Sequence, residues 1–167
     1  LTVDRGDEGN FVPFLEQSTT TKGEHNMNKT DVENLAEEFL RKAMGFLEQG
    51  QEIRPVLLNV KGGELTTVLL SMRNEADKVF LETAIPRVIR TLAPEASFMV
   101  TDAYLKDITN THRIGEVVTV VAASPYGLIS KAVKYTQGDG DKPIFGDIMT
   151  AEQTQSRFFH GVFPTTH

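Results

Sequence analysis

The stretch "EVVTVVAA", Glu116 to Ala123, decides the fold, because its period is that of a strand and neither of its faces is polar. Successive side chains of a strand point to opposite sides. Val117, Val121 and Ala123 therefore share one face, and Val118, Val120 and Ala122 the other. A strand with one solvated face alternates apolar and polar residues, so one that is apolar on both faces is expected to be covered on both. "ELTTVLLSM" repeats the pattern, with Leu65 and Leu69 opposing Val68, Leu70 and Met72.

Outward from this strand, "SFMVTDAYLKDI" precedes it and "LISKAVKYT" follows, each with a β period. "SPYG" joins it to the second of these, where Pro125 presets the backbone angle a turn uses and Gly127 closes the turn. "PIFGDIM" reads as an optional fourth strand of the group. Before it, "YTQGDGDKPIFGD", Tyr135 to Asp147, gathers three aspartates and three glycines. An EF-hand calcium loop needs oxygen ligands at its first, third and fifth positions, a glycine at the sixth and a carboxylate at the twelfth. Counted from Asp139, Pro143, Ile144 and Thr150 occupy the last three of these. Gly138 to Lys142 therefore reads as a hairpin turn, and no metal or cofactor is expected.

Upstream, "TDVE" at Thr30 to Glu33 has the form of a capping box and opens a helix. Val32, Leu35, Ala36, Phe39, Leu40, Ala43, Phe46 and Leu47 form its apolar stripe, which ends before Gly50. "RPVLLNV", "KGG" and "ELTTVLLSM" read as a β-hairpin. Asn74 caps a second helix to about Ala93, with Ala76, Val79, Phe80 and Ala84 on a stripe continued by Val88, Ile89 and Leu92. Pro86 predicts a kink or break in it, since proline lacks the amide donor and clashes with the preceding turn. "TAEQ" at Thr150 to Gln153 has the form of a second capping box and predicts a C-terminal helix ended by Gly161 and Pro164.

The order is α-β-β-α-β-β-β(-β)-α, an α+β chain expected as a two-layer antiparallel sheet with helices mainly on one face. It resembles the profilin-like and roadblock-like topologies, whose sheets commonly serve binding or dimerisation. The resemblance is one of element order and implies no activity. Residues 1–26 read as a polar N-terminal arm, 27–160 as a single domain and 161–167 as a tail. With helices on one side only, the other apolar face predicts a homodimer.

Composition narrows the function classes. At 167 residues one core is expected, and 40% hydrophobic with 24% charged residues is globular usage. A net charge of −6 without a basic run argues against nucleic-acid binding. The absence of cysteine excludes disulfides, thiolate metal sites and cysteine nucleophiles. No apolar run of membrane-spanning length and no signal-peptide pattern occurs, which makes a cytoplasmic location the default expectation and a membrane partner unexpected.

The densest set of proton-transfer residues is "TDAYLKDITNTHRIGE", where Asp102, Tyr104 and Lys106 share one strand face and the following loop supplies Asp107, His112 and Arg113. Such groups act as acid and base only when burial or a neighbour shifts them; otherwise they form the solvated end of a strand. "RFFHGVF" places Phe158, Phe159 and Phe163 either against the sheet or on a partner protein. No metal-ligating histidine spacing, nucleophile elbow or P-loop is present. The expected function is a non-enzymatic protein-binding or assembly module. The alternative is a small metal-independent enzyme with its acid–base site around Asp102, Lys106 and His112.

Overall fold

The computed structural model describes residues 2–3, 26–106, 109 and 112–163, with the side chains of 2, 3, 106, 113, 114 and 141 outside the described set. The chain is α+β, with an antiparallel sheet of order β1-β3-β2-β4-β5-β6-β7. Its strands are β1 (Thr2–Val3), β2 (Val56–Lys61), β3 (Glu64–Leu69), β4 (Ala96–Lys106), β5 (Arg113–Ser124), β6 (Gly127–Gln137) and β7 (Pro143–Gln153). Two helices, α1 (Lys29–Glu48) and α2 (Glu75–Leu92), complete the regular structure.

Local chemistry sets the boundaries. α1 is capped by Asn28, whose side chain accepts from the Asp31 amide while Asp31 accepts from the Asn28 amide. The capping box thus lies two residues ahead of the Thr30–Glu33 pair expected from sequence. α1 ends in a Schellman arrangement: Gly50, at φ +73°, donates to Leu47 and Gln51 donates to Phe46. β2 and β3 are joined by Gly62 and Gly63, both at positive φ, as a two-residue hairpin turn requires. Between β6 and β7 the residues Asp139–Asp141 make a tight turn with Gly140 at φ +74°, closed by a bond from the Gly138 amide to the Lys142 carbonyl, 2.8 Å.

The sheet is covered on opposite faces by the two helices. On one face Val32, Ala36, Phe39, Leu40 and Ala43 of α1 bury Val56, Leu58, Phe98, Val100, Val118, Val120, Ala122 and Val133. Phe39 meets Phe98 edge to face, with ring centres 5.1 Å apart. On the other face Leu81, Ile85 and Ile89 of α2 pack on Leu57, Val68, Met99 and Ala123. The expectation of helices mainly on one face is therefore corrected. "EVVTVVAA" needs cover on both sides, and α2 supplies part of it within one chain.

Three further expectations change. The stripe Ala76, Val79, Phe80, Ala84 is not the buried one: Phe80 is 60% exposed and Val79 54%. α2 carries two apolar stripes at helical spacing, and Leu81–Ile85–Ile89 faces the sheet. α2 is assigned unbroken from Glu75 to Leu92, with Pro86 inside it and buried. "TAEQ" does not start a helix, because Thr150 to Gln153 pair with Lys131 to Leu128 and give their backbone to the β-ladder. The optional fourth strand is therefore real and longer than expected. Beyond it, Arg157 ion-pairs with Glu75 and Glu82 and ties the segment after β7 to α2. No described helix is long and apolar enough to cross a membrane.

The stripe assignment has a direct test. Ile85→Ala is expected to cost about 2–5 kcal/mol in denaturant unfolding, as for a fully buried aliphatic side chain, and Phe80→Ala less than about 1 kcal/mol. A reversed order would put the Phe80 stripe against the sheet.

Candidate functional site

The α1-covered face extends past the end of the helix, and there the strands change from apolar to polar. Val118 and Val133 are fully buried, and one pleat further along Glu116 lies opposite Tyr104 on β4 and Tyr135 on β6. Asp102 sits next to this row, opposite Val118. The loop that follows the α1 Schellman turn comes down beside them. Together they enclose a cavity of about 390 Å³ lined by Leu47, Gly50, Gln51, Glu52, Ile53, Asp102, Ala103, Tyr104, Glu116, Tyr135 and Gln137.

The Tyr135 hydroxyl donates to Asp102, lying 2.9 Å from both Oδ1 and Oδ2. Burial pushes the Asp102 carboxyl above the ordinary aspartate range; the Tyr135 bond opposes that shift and the nearby Glu116 adds to it. Tyr135 is itself buried, at 4% exposure, and its ring lies 5.7 Å from that of Phe145. Burial and the negative neighbours Asp102 and Glu116 push its phenol far above the usual tyrosine value, so it stays protonated and acts as a fixed donor. The phenol and the carboxyl form one preorganised pair at the edge of the cavity.

The sequence candidates divide. Asp102 and Tyr104 line the cavity together, Tyr104 at 52% exposure. The Lys106 side chain and Asp107 fall outside the described residues. His112 is exposed and is not among the described lining residues. Tyr135 and Glu116, which complete the site, lie on β6 and β5, and only the strand register brings them to Asp102. Among the described residues no group of His, Asp and Glu is arranged to hold a metal ion.

The aromatic C-terminal segment lies elsewhere. Phe159 is 5% exposed within the α2-side core, and Phe158 and Phe163 are partly buried against it. Of the three phenylalanines read as a partner-binding motif, Phe159 is thus taken up by the chain's own core, while Phe158 and Phe163 keep part of their surface. Other large cavities border the helices, about 710 Å³ along the outer side of α1 and about 300 Å³ beside Phe80 and Val88 of α2. The first is lined by Glu37, which its bond from Arg41 holds below the ordinary glutamate range, and the second by no carboxylate.

No family model matches this chain, and neither a curated protein nor a solved structure matches it.

Because the Asp102 carboxyl titrates higher in the folded chain than its unfolded value of 3.8, its protonated form is the favoured one. The stability it contributes is complete below 3.8 and is lost as pH rises through the folded value. Asp102→Asn removes this titration and leaves the other groups in place. As pH rises above about 4 the natural chain is expected to lose stability relative to the Asn variant, measured by urea unfolding. A difference that runs the other way would mean a carboxylate stabilised by its surroundings.

Proposed function

We propose that this chain is a non-enzymatic binding module whose ligand site is the cavity at the C-terminal end of α1. One observation carries the reading: a half-buried carboxyl raised by burial and bonded by a phenol lines an open cavity of about 390 Å³, within the size range of small-molecule sites. A carboxyl in such a place costs stability, and a recessed cavity with convergent polar groups is where that cost serves recognition.

The acid–base alternative draws on the same shift at Asp102. Proton transfer needs a donor and an acceptor that both exchange near neutral pH. Tyr135 is pushed away from that range, His112 is not in the described lining, and the Lys106 side chain lies outside the described residues. The geometry favours holding a ligand over transforming one.

Assembly with a second copy forms the other half of the proposal. Beyond α2 the second sheet face continues through Ala103, Val117, Thr119, Ala132 and Met149, which the strand register places side by side. Val117 and Thr119 are half-buried, Ala103 is exposed and Met149 is 45% exposed. A homodimer that covers this strip would take its apolar side chains out of water.

Two measurements test these readings. Screening the labelled full chain against a library of neutral, cationic and anionic fragments is expected to shift the amides of Gly50, Gln51, Ala103 and Glu116. Shifts confined to the outer faces of α1 and α2 would place the ligand site elsewhere. Light scattering after size exclusion is expected to give twice the chain mass, reduced to one chain mass by Val117→Asp. A single-chain mass for the natural protein at micromolar concentration would remove the dimer.

A further inference from the structure

We infer that the ligand of this cavity is an organic cation, an ammonium or guanidinium group carried on an apolar body. This rests on the binding reading above and adds the chemical class. The described lining contains three carboxyl side chains, Glu52, Asp102 and Glu116, and no lysine, arginine or histidine. Six carboxylates elsewhere, Glu37, Glu38, Glu75, Asp77, Glu82 and Glu152, each face a lysine or arginine within 4.0 Å. Among the described residues the three cavity carboxyls take part in no ion pair.

The backbone adds charge of the same sign. α1 ends at the cavity rim, where Leu47 and Gly50 line it, and no basic residue occupies its last turn. The negative end of the helix dipole is thus left without a cation of its own. Tyr104 and Tyr135 line the same space, and Leu47 and Ile53 supply apolar surface for the ligand body. Because the acids are spread around a molecule-sized space rather than gathered on one point, the arrangement suits an organic cation better than a metal ion.

Titration follows from the geometry. A bound cation favours the charged form of Asp102, so binding strengthens as pH rises through the range where this raised carboxyl loses its proton. Tyr135 from β6 and Glu116 from β5 act on it directly, and Tyr104 from β4 and Glu52 from the loop after α1 are the other described titratable groups lining the cavity.

The test is an amide-shift titration of the labelled full chain with benzylamine, benzyl alcohol and benzoate, three probes of similar shape and different charge. Benzylamine is expected to shift the cavity amides, and the other two to bind at least about tenfold more weakly, the scale of one charge-assisted hydrogen bond. Glu116→Gln and Glu52→Gln are each expected to weaken benzylamine, while Glu152→Gln, a change outside the cavity, leaves it unchanged. Using two cavity variants keeps the test open should either fail to fold. Alcohol or benzoate binding the same amides as tightly as the amine would overturn the cation class and leave the cavity as a binding site. Amine binding that ignores both cavity variants would also overturn the class. If none of the three probes shifts the cavity amides while other neutral fragments do, the class falls alone; if no fragment of any charge does, the binding reading falls with it.

Discussion

The structure depends on the double-sided burial of β5. Val118, Val120 and Ala122 are fully buried beneath α1, and Ala123 is buried beneath α2 and the C-terminal segment. One strand with two apolar faces cannot sit in a two-layer sheet without leaving one face in water. The helices therefore divide between the faces, and the rest of the architecture follows from that division. α1 is tied at its start to β7 through Lys29 and Glu152, 2.6 Å apart, and along its length to β6 through Glu37 and Lys131. It ends before the long strands β4, β5 and β6 do. The uncovered ends of those strands are where the apolar pattern stops and Asp102, Glu116 and Tyr135 begin.

Much of this was legible in the sequence wherever a local pattern carried the information. The α1 stripe, the Gly62–Gly63 turn, the Asn74 cap and the strand periods of β4 to β6 all depend on neighbouring residues, and all appear in the structure. Choices between equivalent local patterns were not legible. α2 has two stripes about a third of a turn apart, and only contact with Leu57 and Met99 selects Leu81, Ile85 and Ile89. "TAEQ" satisfies a helix-capping pattern as well as a strand, and pairing with β6 decides in favour of the strand. Which face each helix takes is likewise a tertiary property.

The site shows the same limit. Asp102 and Tyr104 stand out because they are polar residues at alternate positions of one strand. Tyr135 is separated from Asp102 by 33 positions, and nothing local marks it as the partner of that carboxyl. Its role appears only once the register sets Glu116 opposite both tyrosines. The arrangement then acquires a direction. The phenol is fixed as a donor, the carboxyl is held where water solvates it poorly, and the end of α1 adds negative potential at the cavity rim.

The central claim is that Asp102 is a desolvated carboxyl held by the Tyr135 phenol, and its ionisation can be observed directly. With aspartate labelled with ¹³C at the carboxyl carbon, the Asp102 resonance is followed through a pH titration in the natural chain and in Tyr135→Phe. The account predicts a midpoint above the ordinary 3.8 in the natural chain, and a higher one once the phenol that favours the charged form is removed. A midpoint at or below 3.8, unmoved by the substitution, would contradict it.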